Sequence, residues 1–584
     1  MNSSQRRDRS VARMVGSVAV ILSLGLSTIA CAAGGGDDTD STGGGDGEAQ
    51  SGGSVTTLLD AGFSGGWNTG LDPATSNTVG ANLPQNSAIF GGLFTLEADE
   101  DGGNAGIVDN QAESHEWSDD DLTLTIKLRE GITFTDGTPM NAEAVVWNWI
   151  RALNSGSTGT PRLQLNLGLP APELSQEFLD SLYAALPADV DRNLVQQQLG
   201  TIVAVDDLTV SITLAAPDGS FVNGFPTSSL NLIASPTAFA EQGADDFKEN
   251  PVGAGPFIIT SNTLSERLEL EKNSEYFKDG LPYLDTLNFQ SILGDQVLYQ
   301  TLQAGQGDVI EGMANINLIQ EAEGNPDVGV FPGVPTSPYV IQLNTRKPPF
   351  DDIKAREAIY YATDFEAINK GLFKDTAEMS QSFTASGGLF YNPEVEGYRT
   401  YDPAKAKELV DEIGGLTVNL GTVDVVTAKA VTTALQTQWA EAGIDVEIEA
   451  APLGDVITSF ISGEWESLLQ TAGAWDPSVG IGVAVRFGSQ SPFSGAPQPT
   501  EPGGTTELDD LLAAAVATTD EDERKAVYDE IAKYISDEAY APFGMAFSPS
   551  QIVRTTVHGP GLTTPIPALA VNSGVLYDRV WIEQ

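Results

Sequence analysis

The residues best suited to bind a ligand lie in the segment GAWDP, at residues 473–477. Trp475 offers a wide apolar face and Asp476 a fixed negative charge, which suits stacking against a ligand and pairing with its ammonium group. The segment follows a short predicted strand at residues 467–471, and open parallel sheets bind ligands at such strand ends. Arg486 is a candidate partner for a ligand carboxylate, with an exposed surface arginine as the alternative. Asp-Pro is also an ordinary turn signal.

Side chains for catalysis are scarce. The chain has two histidines, His115 and His558, and a single cysteine, Cys31. Neither G-x-S-x-G nor H-E-x-x-H occurs, and hydrolysis by a serine triad needs a histidine beside the nucleophile. We therefore expect no catalytic residue, no metal and no cofactor. A carboxylate pair acting as in a glycosidase stays open, because the chain holds 81 Asp and Glu.

The start of the chain predicts export and membrane attachment. A basic stretch, the short apolar run MVGSVAVILSLGLSTIA and then Cys31 have the order of a secretory signal peptide over residues 1–30, with one anchoring helix as the alternative. Residues 27–31, STIAC, are similar to a bacterial lipobox, in which the cysteine becomes the lipidated first residue. Residues 31–54 are rich in Gly, Ser and Asp and predict a flexible linker.

Charge limits the partners. The 81 acidic residues outnumber 29 Lys and Arg, giving a formal net charge of −52. Such acidity argues against binding nucleic acid and against electrostatic docking on anionic lipid. It suits solubility outside the cell, where salt screens exposed charges beyond about 8 Å.

Two patterns predict the elements that position these residues. Residues 122–128 alternate apolar and polar side chains, which predicts a strand, and Asn141 can cap a helix that follows. Residues 416–422, 428–442 and 444–448 read as strand, helix and strand, which predicts a parallel pair with a right-handed crossover.

Several stretches resemble the family-5 solute-binding proteins of ABC importers, the extracytoplasmic dipeptide- and oligopeptide-binding proteins and their relatives. Residues 121–137 follow D-L-T-x-T-x-K-L-R-E-G-I-x-F-x-D-G, and residues 142–151 follow A-E-x-V-x-x-x-x-x-R. Residues 251–257 follow P-V-G-x-G-P-F, and residues 343–364 follow the family's L-N…P-F-D-D…R-x-A…A-x-D pattern. Residues 71–74, LDPA, match an early motif of the same proteins.

The resemblance implies an α/β, two-lobed periplasmic-binding-protein type II fold with a small extra subdomain in the first lobe. In the family, the loop after the first strand borders the ligand cleft, so Trp67 and Asn68 become candidate ligand contacts. Peptide-binding members also place a Trp and an Asp where Trp475 and Asp476 lie, and their Asp pairs with the ligand's ammonium group. The expected organisation is a signal peptide at 1–30, a linker at 31–54, a first lobe at 55–338 with its subdomain at about 94–200, a second lobe at 339–540 and a return to the first lobe at 541–584.

The implied function is a lipid-anchored receptor outside the cytoplasmic membrane, in the periplasm where an outer membrane exists. It would capture a peptide or similar small solute in the cleft between the lobes and deliver it, as a monomer, to the permease subunits of an ABC importer. Relatives bind oligosaccharides, opines, nickel or haem, so a non-peptide ligand stays open. A glycosidase or a structural surface lipoprotein are the further alternatives.

Overall fold

The structure is a computed structural model that describes residues 49–62, 65–76, 82–98, 105–157, 165–471, 479–491, 493–564 and 574–584. The expected signal peptide, Cys31, Trp475 and Asp476 lie outside these residues. Within the described ranges, no helix is both long enough and apolar enough to cross a membrane.

The strands are short and run through the whole of the described chain. They are β1 (Ser54–Asp60), β2 (Phe94–Ala98), β3 (Ala105–Asp109), β4 (Ala112–Trp117), β5 (Thr123–Leu128), β6 (Ile202–Ala204), β7 (Thr209–Thr213), β8 (Phe257–Thr263), β9 (Arg267–Lys272), β10 (Thr286–Ile292), β11 (Val309–Met313), β12 (Val328–Pro332), β13 (Tyr339–Leu343), β14 (Glu378–Met379), β15 (Leu416–Val423), β16 (Ile444–Ala451), β17 (Ser467–Thr471), β18 (Met545–Ala546), β19 (Ser550–Arg554), β20 (Val557–His558) and β21 (Trp581–Ile582).

Helices alternate with these strands. They are α1 (Leu83–Phe90), α2 (Ala142–Leu153), α3 (Gln176–Ala185), α4 (Arg192–Thr201), α5 (Pro236–Gln242), α6 (Ala244–Glu249), α7 (Asp295–Gln303), α8 (Ile316–Glu323), α9 (Ile353–Ala362), α10 (Phe365–Ile368), α11 (Pro403–Glu412), α12 (Val426–Glu441), α13 (Leu453–Ser462), α14 (Gly480–Phe487), α15 (Glu507–Ala517) and α16 (Glu521–Asp537).

The first lobe is built on a sheet of seven strands in the order β12-β19-β11-β1-β10-β9-β8. At its centre β1 runs parallel to both β10 and β11, while the outer pairs are antiparallel. Successive β1 side chains enter different cores, because a strand points alternate residues to opposite faces. Val55 and Leu59 pack into the largest hydrophobic cluster, and Leu58 packs with Tyr299 and Ile310 in another.

A smaller sheet, in the order β4-β5-β7-β6, packs its apolar face into the same large cluster. The predicted alternation is confirmed, since Leu124, Ile126 and Leu128 are buried on β5. The predicted cap is confirmed as well: Asn141 Oδ1 accepts a hydrogen bond of 3.0 Å from Ala144 N at the start of α2. This sheet continues to β7, which lies beyond residue 200, the expected end of the small subdomain.

The second lobe has its own sheet, in the order β13-β17-β15-β16. As predicted, β15, α12 and β16 form a strand-helix-strand unit in which the two strands are parallel. β17 also runs parallel to β15, and β13 is antiparallel at the edge. Separate hydrophobic clusters lie under this sheet and around α14–α16, so the second lobe is stabilised by its own cores.

Candidate ligand-binding cleft

Two adjacent segments connect the lobes. The chain passes from β12 to β13 through residues 333–338 and returns from β18 to β19 through residues 547–549. They run side by side: Gly333 N donates to Pro549 O at 3.1 Å, and Gly544 N donates to Tyr339 O at 2.9 Å at their second-lobe end. Paired connections of this kind form a hinge, because a few backbone angles in each can rotate one lobe against the other.

The carboxyl ends of the central parallel strands face each other across the two lobes. In the first lobe β1 ends at Asp60, and in the second β15 ends at Val423. The loops that follow approach closely, since a Cβ placed on Gly62 would lie 3.7 Å from Val425 Cγ1. Ligands of open α/β sheets bind at these strand ends, so the space between the two loops is the candidate cleft.

Asp60 is the notable charged group on the first-lobe side of this cleft. Gly62 N donates to Asp60 Oδ1 at 2.9 Å. Among the described residues, no Lys or Arg nitrogen lies within 4.0 Å of the carboxylate. Burial raises the pKa of Asp60. The hydrogen bond from Gly62 N opposes this shift, and the nearby Asp295 carboxylate adds to it. A half-buried carboxylate with no cation is suited to receive one from a ligand.

The loop after β1 holds the two candidates Trp67 and Asn68. Trp67 is fully buried in the large first-lobe cluster, and its Nε1 donates to Asn262 Oδ1 at 3.1 Å. Asn68 is exposed. The structure thus places the indole inside the lobe, where it fixes the loop, and the ligand contacts of both residues stay predictions.

An ion pair that the sequence does not predict fixes the following turn. Asp72, in the LDPA motif, forms a two-pronged pair with Arg151, the last residue of the A-E-x-V-x-x-x-x-x-R motif, with a distance of 2.9 Å from Nη1 to Oδ1. Both side chains are almost fully buried, and the guanidinium carbon lies 4.4 Å from the centroid of the Phe239 ring. The two motifs are therefore joined by one structural ion pair. The available signal in the sequence was an acidic residue in one motif and a basic residue in the other.

Arg486 lies on α14 and is buried, so its placement as an exposed surface residue is wrong. Its guanidinium carbon lies 5.7 Å from the Phe460 ring centroid, and its carbonyl oxygen accepts a hydrogen bond of 2.8 Å from Gln342 Nε2. Burial lowers the pKa of Arg486 to about 9. Its contact with a ligand stays a prediction.

The remaining predicted site residues, Trp475 and Asp476, fall between the described end of β17 and the start of α14. β17 ends beside the carboxyl end of β15, so the chain leaves it on the cleft side of the second-lobe sheet. Both residues lie outside the described part of the chain, so their ligand contacts stay predictions.

The histidines lie on β4 and β20. His115 Nδ1 is 2.7 Å from Oδ1 of Asp109 on β3, and His558 stacks on Trp581 at a centroid distance of 4.3 Å. No group of three or more His, Cys, Asp or Glu side chains is arranged to hold a metal ion in the portion of the chain that the structure describes.

Comparison with known proteins agrees with this geometry. The solved structure of DppA from Helicobacter pylori in complex with the peptide STSA matches with a TM-score of 0.71 at 22% identity, over 92% of this chain and 99% of that one. AgaA from A. tumefacien R10, in complex with agropinic acid, matches with a TM-score of 0.73 at 20% identity, over 91% and 99%. The predicted two-lobed type II periplasmic-binding-protein fold is thus confirmed.

Sequence relatives point the same way. The glutathione-binding protein GsiB of Pectobacterium atrosepticum is 28% identical over 475 residues, which is 79% of this chain and 83% of that protein. The family described as bacterial extracellular solute-binding proteins, family 5, matches residues 106–491, more than half of the chain. The protein therefore belongs to the bacterial extracellular solute-binding proteins of family 5.

Proposed function

We propose that this protein captures a short zwitterionic peptide, of the size of glutathione, between its two lobes and delivers it unchanged to the permease of an ABC importer. The relatives that bind glutathione and the structural neighbour that holds a tetrapeptide support a peptide ligand. The protein acts by binding alone, as a monomer, and is tethered to the outer face of the membrane through a lipid on Cys31.

The observation that carries the peptide proposal is the carboxylate of Asp60. It lies at the carboxyl end of β1, two residues before Gly62, where the lobes approach each other. An ionised carboxylate that is removed from water without a cation is unfavourable, and the raised pKa of Asp60 expresses this cost. The ammonium group of a bound peptide supplies the missing charge.

Asp476 is the corresponding group that we propose on the second lobe. It follows β17, the strand beside β15, and its charge together with the indole of Trp475 suits a peptide's amino end. Asp60 and Asp476 are the proposed carboxylates of the two lobes, and Arg486 is the proposed cation for the ligand's carboxylate. Trp67 contributes by fixing the first-lobe loop, and Asn68 offers an amide at its surface.

Titration calorimetry of the mature protein tests this proposal, with glutathione, the peptide STSA and agropinic acid as probes. We expect a peptide probe to bind and agropinic acid not to bind. Asp60→Asn keeps the shape but removes the charge, and hydrogen bonds between charged groups contribute about 1.5–3 kcal/mol, so peptide affinity should fall about tenfold to a hundredfold.

The matched control is Asp279→Asn, an exposed first-lobe aspartate, which should leave peptide affinity unchanged. Equal affinity in wild type and Asp60→Asn would remove Asp60 from the site. Binding of agropinic acid but of neither peptide would replace the peptide by an opine-like solute.

A further inference from the structure

A buried arginine of the second lobe reaches into the first. Arg524, on α16, is only 4% exposed and lies over the ring of Phe390 with its guanidinium carbon 4.9 Å from the centroid. Its Nη1 donates to the carbonyl oxygen of Gly219 at 2.5 Å. Gly219 belongs to the loop that follows β7 in the small sheet, and Phe221 at the end of this loop packs in the first-lobe cluster. Within the described ranges, no carboxylate oxygen lies within 4.0 Å of the guanidinium.

The backbone of Gly219 is hydrogen-bonded at both its N–H and its carbonyl. Arg524 donates to the Gly219 carbonyl oxygen, and Gly219 N donates to Val516 O, near the end of α15, at 2.9 Å. Only glycine fits here, because an added Cβ would lie 2.6 Å from Thr518 O and 2.7 Å from Arg524 Nη1. The close approach of two backbones from different lobes therefore depends on this one residue.

The neighbouring side chains shape the loop for this contact. Ser220 N and Oγ both donate to Asp218 Oδ1, at 2.9 and 2.6 Å, which holds the turn around Gly219. On the second lobe, a Cβ on Gly480 would meet Ser220 Cβ at 3.1 Å. Thr519 Oγ1 also lies 3.4 Å from Asp121 Oδ2 at the edge of the contact. The lobes are thus in contact here, and they also approach each other at Gly62 and Val425.

We propose that Gly219 and Arg524 form a latch for closure, with Arg524 as a positioning residue that holds the lobes together without touching the ligand. The guanidinium is desolvated where the first lobe covers it, and its charge-assisted hydrogen bond to the Gly219 carbonyl, together with the Phe390 ring, offsets that cost and leaves a small net gain for the contact between the lobes. The latch is therefore weak enough to open for release. Ligand affinity scales with the fraction of closed, binding-competent protein, so the latch sets affinity from outside the cleft. The inference rests on the proposed trapping of a ligand between the lobes.

Lobe separation in the ligand-free protein tests the latch directly. In a Cys31→Ser background, spin labels on Val205→Cys and Ile461→Cys report the distance between the small sheet and the second lobe, since these side chains are 60% and 57% exposed. Double electron–electron resonance measures the distance between the two labels. The population at longer distances should be larger in Gly219→Ala and in Arg524→Lys than in the labelled protein without these substitutions. The control is Gly371→Ala, where an added Cβ meets nothing within 4 Å and the distances should not change.

A second readout is the affinity of the same variants for glutathione and STSA, which should fall about tenfold when the closed population falls tenfold. Unchanged distances in both Gly219→Ala and Arg524→Lys would overturn the latch, even with lower thermal stability, because a merely structural contact would change stability alone. If Arg524→Lys does not fold, Gly219→Ala decides. The label distances are measured without ligand, so they test the latch even if neither peptide binds. Failure of the peptide proposal would instead appear only in the affinity measurements.

Discussion

At the scale of single residues, burial decides what each charged group can do. Asp72 and Arg151 are buried together and balance each other, which makes them structural. Asp60 is half-buried without a cation among the described residues, which leaves it available to a ligand. The identity of a residue is therefore less informative than the partner that its surroundings provide.

Glu311 is a third buried acidic residue, and burial affects it differently from Asp72 and Asp60. It lies on β11, and Tyr577 donates its hydroxyl hydrogen to Glu311 Oε2 at 3.0 Å. Burial raises the pKa of Glu311 to about 8, from an ordinary value of 4.5. The folded protein therefore holds a proton on this carboxyl at neutral pH that the unfolded chain has lost.

Because the folded pKa is the higher one, stability falls as pH rises from about 4.5 towards 8. Glu311→Gln keeps the shape and the acceptor for Tyr577 but cannot ionise. We expect the variant to be more stable than wild type by about 3 kcal/mol at pH 7, and equally stable at pH 4. Urea unfolding at both pH values measures this.

The matched control for that experiment is Glu113→Gln. Glu113 is exposed, and its hydrogen bond with Lys127 lowers its pKa, so it cannot produce a loss of stability with rising pH in this range. A difference between wild type and Glu311→Gln that stays constant between pH 4 and 7 would contradict a protonated Glu311.

At the scale of elements, α2 depends on its first residue. Asn141 Oδ1 satisfies Ala144 N, one of the amides that a helix start leaves without a partner inside the helix. Asn141→Ala should lower the free energy of unfolding by about 1 kcal/mol, and Asn141→Asp, which keeps an acceptor oxygen, should retain most of it. Chemical unfolding of the three proteins gives the comparison, and equal stability of Asn141→Ala and wild type would contradict the role of the cap.

The elements that the sequence predicts well are those whose signal is local. The alternation at β5, the cap of α2 and the unit β15-α12-β16 are each contained in a few neighbouring residues, so periodicity and turn chemistry identify them. The family resemblance then provides the two-lobed arrangement, which no local pattern contains.

Contacts between distant residues could not be predicted in the same way. The partner of Asp72 lies 79 positions away, and Arg486 and Trp67 enter cores assembled from several segments. A single sequence gives the polarity of such residues but not the space that tertiary packing leaves around them. The same limit hid Glu311, whose carboxyl is surrounded by strands from both ends of the chain.

At the scale of the whole molecule, the proposed receptor has to stay close to the membrane while its lobes move. We propose that Cys31 carries the lipid and that the residues between it and the first lobe form the tether. Lipid chains contribute about 0.8 kcal/mol for each buried CH₂ group, so two or three chains give stable attachment. Cys31→Ser should appear in the medium or remain unprocessed on cell fractionation, and a mature variant that stays membrane-bound would exclude lipidation at this cysteine.

Identification of the natural ligand tests the proposed function most directly. The mature protein is isolated from the cells that make it, its bound compounds are released by denaturation, and mass spectrometry identifies them. We expect a short peptide with a free ammonium group, in a ratio of one to each chain, because Asp60 at the cleft lacks a cation among the described residues. Release of a neutral oligosaccharide, an opine or a metal ion in place of a peptide would contradict the proposal.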